Sequence, residues 1–388
     1  MEQIEKLCDA NYLYDGYLRT KSSSSWKPAT QQYERNWLVN ISKLQDALQN
    51  REYKTEKGHE FIKNERGHPR AIISKNMNDK IVRHVFCDHI LSPQIEPHLI
   101  YDNGASRKGK GINFQRNRFD AHIHRYVEET GSNDGYILFG DFSKFYDNIL
   151  HSAVREMLRP FCTDLEKKIL DEIIDQFKVD VSYMSEDEFR DSINKKFNSM
   201  EYFQNISRNL RTGEKFLEKS IDIGDQLSQL IGIYYPNKID HYVKTVCGIK
   251  YYGRYMDDFY IIDKDKNRLL RLMNKIKEIA AEYGIFINDN KTRIVRLDRE
   301  FTFLQLRYNI SITGHIKKRL TKKAINRERR KLKKHKNLLD KNIMSYEEVE
   351  NCYKSWMGAF YKKMSRTSIR NMKALYMELF DKDPVWKN

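Results

Sequence analysis

Apolar residues first fall into register near the start of the chain, where Trp37, Leu38, Ile41, Leu44 and Leu48 make a helical stripe. Residues 1–60 are therefore predicted to be mainly polar helices, with the serine run Ser22–Ser25 as a loop. The pattern then changes period: residues 70–74 (RAIIS) alternate like a strand, and a helix is expected from about Asn78 to His89. A glycine-rich basic loop, NGASRKGKG, occupies 103–111, and a helical stretch follows it. Residues 136–142 (YILFGDF) read as a buried strand ending in an acid. Over 151–178, Leu165, Ile169, Ile173 and Phe177 lie four apart, as on one helix face. Residues 179–220 show no period and read as a polar, irregular insertion; a helix is expected to begin near Gln226. The run IKYYGRYMDDFYII at 249–262 is predicted to be a β-hairpin with acids at its tip. Leu269, Leu272, Met273, Ile276, Ile279, Ala280 and Tyr283 share one helix face, strands are expected at 285–297 and 301–312, and the rest reads as helices. There is no internal repeat and no Pro/Gly linker.

Composition narrows the class. Hydrophobic residues make up 40% of the 388, enough for packed cores rather than a disordered chain. Lys+Arg 70 against Asp+Glu 54 leaves +16, a balance that fits a phosphate-rich partner, because Lys and Arg displace counterions from nucleic acid, and equally a merely soluble basic protein. From Lys317 to Lys336 there are twelve Lys or Arg and one acid, Glu328. The five cysteines (Cys8, Cys87, Cys162, Cys247, Cys352) form no CxxC pair, which speaks against a zinc site or disulfide framework and for a reducing compartment. The first residues lack the apolar core of a signal peptide, and no apolar run approaches the roughly 20 residues of a membrane span. A cytoplasmic location without a membrane partner is the expectation.

Two segments hold acids beside apolar surface. Asp141 ends one strand, and Asp257 and Asp258 occupy the hairpin tip between Tyr255 and Phe259. A DD pair alone is usually a solvated turn, but here the aromatic and β-branched surroundings hold charge against buried surface. Adjacent strands of one sheet would bring the three together. Such a trio suits phosphoryl transfer with two divalent ions, since Mg2+ takes oxygen ligands and needs only a few carboxylates.

These residues resemble the reverse transcriptase family. Residues 255–258 (YMDD) look like its YxDD box, and residues 141–147 (DFSKFYD) look like the first catalytic motif of its bacterial members. In between, residues 223–229 (IGDQLSQ) are similar to the motif after the nucleotide-binding strand; Lys291, in NDNKT, sits at the fourth palm motif, and residues 301–305 (FTFLQ) resemble the primer grip. The resemblance covers about residues 55–380. It implies an α+β right-hand polymerase fold: an N-terminal helical extension at 1–60, fingers at 61–135, a palm with an antiparallel sheet at 136–312 (carrying the insertion at about 179–220), and a helical thumb at 313–388. It also implies Asp141, Asp257 and Asp258, with the backbone carbonyl of Phe142, as ligands of two Mg2+ ions, Mn2+ being a substitute. Tyr146 falls at the sugar gate that favours dNTPs, while Asp147 is a supporting acid. Lys63 and Arg70 resemble the fingers pair on the triphosphate, Lys291 a general acid for pyrophosphate, and Gly224, Ser228 and Gln229 the nucleotide and template wall. Arg107, Lys108 and Lys110 are expected on phosphates, and Lys322, Lys323, Arg327 and Arg330 on the template–primer backbone. Ordinary alternatives stand beside each of these: a core aromatic for Tyr146, exposed lysines for Lys63 and Lys291, a basic turn for 107–110 and a solvated face for the basic segment.

Three departures bear on the subtype. Ile223 stands where retroviral and group II intron enzymes carry Gln, a form resembling diversity-generating and related bacterial enzymes. The stretch from Asp147 to Gly224 is long for a compact diversity-generating enzyme. No segment looks like a ribonuclease H, maturase or HNH domain. The favoured expectation is a defence-associated bacterial enzyme copying a partner noncoding RNA into DNA. The alternatives are a diversity-generating enzyme, a template-independent polymerase primed on its own tyrosine, and an idle RNA-binding scaffold. An accessory protein or a second copy of the chain is left open as a further partner.

Overall fold

The computed structural model describes residues 5–56, 58–65 and 68–384. The chain forms two compact units: Met1–Arg118, Leu138–Ile261 and Asn267–Arg293 in the first, and Phe119–Ile137, Ile262–Lys266 and Ile294–Asn388 in the second. Among the described residues no helix is long and apolar enough to cross a membrane. All five cysteines are free thiols.

The first unit opens with the helices Ala10–Ser22, Pro28–Arg35 and Trp37–Gln49, and the serine run lies in the turn after the first of them. Asp9 caps that helix by accepting the Asn11 and Tyr12 amides. A hairpin follows, β1 (His59–Glu65) and β2 (His68–Ser74), paired antiparallel from His59↔Ser74 to Glu65↔His68. The helix expected over 78–89 runs from Met77 to Val85 and then widens into a π-type turn, Phe86–Leu91. The central sheet has five strands: β3 (Tyr136–Ser143), β6 (Tyr252–Tyr255), β7 (Asp258–Asp263) and β8 (Phe286–Ile287) run in the order β6-β7-β3-β8, and a fifth, Arg293–Arg296, also pairs with β3. Residues 137–143 of β3 and 259–263 of β7 are all buried. Strands covered on both faces need apolar runs, which Ile137–Phe139 and Phe259–Ile262 supply on either side of the acids.

The stretch 151–178 is two helices, not one. His151–Leu158 ends at a 3-10 turn containing Pro160, and Asp164–Asp175 restarts behind a Thr163/Glu166 capping box. Proline lacks the amide that a continuous helix requires.

The insertion is ordered, contrary to the irregular reading. Short strands β4 (Val179–Asp180) and β5 (Phe216–Leu217) pair antiparallel and bracket the helices Glu186–Ser192 and Ser199–Asn205. Val181, Phe197, Tyr202 and Leu217 form its own small core. Elements of two to seven residues are too short to repeat a period, so their apolar positions look scattered in the sequence. At its C-terminal end the ring Nε2–H of His151 donates to the Ser220 carbonyl at 2.6 Å.

The fifth strand of the central sheet, β9 (Arg293–Arg296), runs from the end of the first unit into the second, which holds a sheet of β10 (Phe301–Phe303), β11 (Leu306–Ile310) and β12 (Ile316–Leu320), antiparallel throughout. The single strand expected at 301–312 is thus a hairpin, turned at Leu304 and Gln305, both at positive φ. The strand expected at 285–297 is likewise broken between β8 and β9 by the turn that carries Asn288 and Lys291. Phe119 packs against Phe303 and Tyr308, with centroids 4.6 and 5.1 Å away. The basic run begins as β12 and becomes helical only at Lys322. The helices Lys322–Asp340, Tyr346–Phe360 and Arg366–Phe380 follow, and Tyr353 and Tyr376 meet at 4.5 Å between the last two.

Burial, partly offset by the Ser220 hydrogen bond, pushes the His151 imidazole down to about 4. The unfolded chain therefore binds more protons than the folded one between about pH 4 and 6.5. Stability is expected to fall as pH drops through that window, by at most about 1.4 kcal/mol per pH unit from this group. Denaturant unfolding of His151→Gln at the two ends of the window checks this: the variant should show the smaller pH dependence.

Candidate active site

Asp141 lies near the end of β3 and is buried. The turn after β8 clasps it from three sides. The Asn288 amide donates to the Asp141 carbonyl at 2.8 Å, the Asn288 side chain to one carboxylate oxygen at 3.0 Å, and the Lys291 ammonium to the other at 2.9 Å. The hairpin β6–β7 delivers the other two acids. Tyr255 and Asp258 pair, leaving Met256 and Asp257 as a two-residue loop. Met256 sits at φ 56, a conformation that costs a non-glycine residue energy and is held by its surroundings. The Phe142 amide donates to the Asp257 carbonyl at 3.3 Å, which joins β3 to the turn. The Phe142 ring lies 5.4 Å from Phe145 and 5.7 Å from Phe259.

The three carboxylates act on one another. Burial and then the Asp141 charge raise Asp257. Water reaches Asp258, yet the protein crowded around it, followed by the charges of Asp257 and Asp141, lifts it to about 7. Burial works against charge on Lys291, but its hydrogen bond to Asp141 and the other two acids outweigh that and hold it above its ordinary value. Among the described residues no three acids, histidines or cysteines converge as a ready-made metal cage. The donor set nevertheless suits a hard divalent cation: all its ligand atoms are carboxylate oxygens whose mutual repulsion such a cation relieves.

Tyr146 follows β3 in a 3-10 turn and is half-buried, its hydroxyl raised to about 12 by burial and then by Asp257. That hydroxyl lies 3.9 Å from the Met256 sulfur. A Cβ on Gly232 would stand 2.7 Å from it, so the helix Gln226–Tyr234 must present a bare backbone here. Asp147 and Asn148 turn the other way, into the insertion. Asp147 accepts the Ser199 amide at 3.1 Å and its hydroxyl at 2.8 Å, while the Asn148 side chain bonds the backbone of Phe197 in both directions.

Lys63 and Arg70 are directly opposite in the β1–β2 register, and both are exposed. A like-charge pair in that position is unfavourable without an anion to share. Arg70 meets Glu65 at 3.0 Å, and its charge pulls on Tyr146, Asp147 and Asp257.

Gly224 has φ 97 and open space where a side chain would be. Its loop is pinned on both sides, by Lys75 on Asp222 at 2.8 Å and by buried Arg83 on Asp225, which also caps the following helix. Ser228 is buried and its hydroxyl has no hydrogen-bond partner among the described residues; Gln229 is exposed and accepts the Ser106 hydroxyl at 3.4 Å.

The basic loop is less available than its composition suggests. Arg107 spends its guanidinium on Glu96 and on the Ile100 and Asn103 carbonyls. Lys110 donates to the Tyr101 carbonyl and lies over the Tyr101 and Phe114 rings, and burial brings it down to about 8. Lys108 is exposed. In the second unit Lys322, Lys323 and Arg330 are exposed and Arg327 is half-buried.

Sequence reading missed Asn288, Gly232, Asp240 and Arg254. Arg254, fully buried, grips Asp240 at 2.6 Å. An arginine within a run of buried-strand residues was the available signal, because it must find a partner; nothing in the spacing singled out Asp240.

Residues 62–308 match the model of the reverse transcriptase (RNA-dependent DNA polymerase) family. No curated protein matches the chain. Among solved structures, a telomerase from Candida albicans in complex with a fragment of telomeric RNA aligns at 13% identity and a TM-score of 0.44, covering 92% of this chain and 60% of its own. Apo telomerase from Candida tropicalis aligns at 16% and 0.39, covering 84% and 63%. The present chain thus spans about three fifths of the length of either. The motifs seen in the sequence, the sheet that carries Asp141 beside the acidic turn, and the family match over most of that core lead to one assignment: the chain belongs to the reverse transcriptase family, with its α+β right-hand fold class.

Proposed function

We propose that this chain is an RNA-directed DNA polymerase that adds dNTPs to a primer 3′-hydroxyl. The observation that carries the reading is the joining of β3 to the β6–β7 turn, with Asp141 close enough to raise the proton affinity of Asp257 and Asp258. Asp141, Asp257 and Asp258, with the Phe142 carbonyl, would hold two Mg2+ ions, for which Mn2+ can substitute. Bound there, the ions would lower the pKa of the attacking hydroxyl and stabilise the pyrophosphate charge. Lys291 and Asn288 donate to the two carboxylate oxygens of Asp141. Lys291, once released from Asp141, is placed to give a proton to the leaving pyrophosphate.

Lys63 and Arg70 grip the triphosphate, which removes the repulsion between them; Arg70 supplies the fork geometry and Lys63 a point charge. Tyr146 blocks a 2′-hydroxyl and so selects deoxynucleotides. Gly224 and Gln229 line the nucleotide and template side. The β1–β2 hairpin belongs to fingers at 61–135, the central sheet to a palm at 136–312, and Lys322, Lys323, Arg327 and Arg330 to a thumb at 313–388 that holds the template–primer backbone. Lys108 remains a phosphate contact; Arg107, held by Glu96 and backbone carbonyls, and Lys110, held by Tyr101 and Phe114, are withdrawn from that set. Ile223 in place of Gln fits diversity-generating and related bacterial enzymes alike, and the long stretch from Asp147 to Gly224 favours a defence-associated one that copies a partner noncoding RNA, with a diversity-generating role as the alternative.

Primer extension on an RNA template with Mg2+ tests the reading. Asp257→Asn is expected to lose at least about 100-fold in rate, as when a group stabilising transition-state charge is removed, while still binding RNA. A wild-type protein that binds RNA without extending any primer would refute the reading, leaving the scaffold, or the self-primed polymerase if DNA is found covalently attached to the protein. Arg70→Gln is expected to raise KM for dNTP roughly tenfold, the loss of one charged hydrogen bond, with a smaller change in kcat. Steady-state kinetics on both proteins would show it.

A further inference from the structure

The polymerase reading leaves the buried charge of Arg254 without a task. Arg254 precedes the acidic turn on β6 and is entirely shielded from solvent. One of its guanidinium nitrogens reaches the Met256 carbonyl at 3.0 Å and the Gly232 carbonyl at 3.5 Å. The other terminal nitrogen donates to the Ile233 carbonyl at 2.7 Å and to Asp240 at 2.6 Å, and Nε–H donates to Asp240 at 2.8 Å. Tyr252 adds a hydroxyl bond to the same carboxylate at 2.5 Å.

Met256 and Gly232 are the two walls against which the Tyr146 hydroxyl rests. A single nitrogen of Arg254 therefore ties the backbones of both walls together from behind. The same bond helps to hold Met256 at its positive φ. We propose that Arg254 is a positioning residue that sets the width of the Tyr146 slot, and through it the discrimination between deoxy- and ribonucleotides. Asp240 fixes the guanidinium in plane, so that its planar fork addresses three carbonyls at once. Lysine, a point charge on a flexible stem, can satisfy Asp240 but not those carbonyls in the same geometry. The inference rests on the polymerase reading for its consequence, and on the structure alone for the slot.

Arg254→Lys is the test, read two ways. The first is the ratio of kcat/KM for a dNTP to that for the matching rNTP. The second is hydrogen exchange at the amides of residues 255–258 and 232–235, which requires no activity. The ratio is expected to fall at least about tenfold, since misplacements on the ångström scale cost that much or more, with exchange faster in both segments. An equal drop in kcat for both nucleotides, with unchanged KM and an unchanged ratio, would show only a less stable protein and overturn the proposal. Unchanged exchange in the two segments would also overturn it. If the lysine variant fails to fold, Asp240→Asn takes its place. It keeps the shape and weakens only the anchor, and a smaller fall in the same ratio is expected; no fall overturns the proposal. A wild-type protein that incorporates neither nucleotide would refute the polymerase reading by itself, and the exchange data would still decide whether Arg254 holds the slot.

Discussion

Negative charge crowded into a partly desolvated space governs the first unit. Asp141, Asp257 and Asp258 are placed by backbone hydrogen bonds between neighbouring strands, so they cannot move apart to relieve one another. The protein answers with cations: Lys291 directly on Asp141, and Arg70 acting from the β1–β2 hairpin. A site so arranged is biased toward any ligand that brings positive charge to the acids and negative charge to the hairpin. A metal–nucleotide complex has that polarity.

Behind this front stands a second set of charges that is shielded from water. Arg254 with Asp240, Arg83 with Asp225 and Lys75 with Asp222 are all deeply buried. Buried pairs contribute little net stability, because desolvation consumes most of the attraction; their merit is that only one arrangement satisfies them. Each pair fixes a segment that regular secondary structure leaves undetermined: the Met256–Asp257 loop, the helix start at Gln226, and the loop around Gly224. Rigid strands bring the acids near one another, and buried ion pairs set the loops between them.

The legible parts of the sequence were those with a period or a fixed spacing. β3, the hairpin with its acids and the helix at Gln226 were visible because apolar alternation and turn residues mark them. Lys63 and Arg70 could be suspected as a pair from their spacing, and their direct opposition follows from the hairpin register. What stayed hidden was partnership across long separations. Glu96 neutralises Arg107, and the insertion takes up Asp147 and Asn148. A sequence gives the charge of Arg107 but not the carboxylate that consumes it. The insertion escaped for another reason: its apolar residues serve elements too short to show a rhythm, and only a shared core reveals their purpose.

That insertion leaves and rejoins the chain at adjacent points, because Val179 pairs with Leu217. Paired strand residues stand only ~5 Å apart, so a loop of almost any length can be housed between them without re-threading the surrounding sheet. The junction therefore permits large changes of length between related chains. The grafted segment is not inert, however. By lending Ser199 and Phe197 to Asp147 and Asn148, it has become part of the footing of the Tyr146 turn, and a descendant that shed it would have to re-solvate those two buried side chains or replace them.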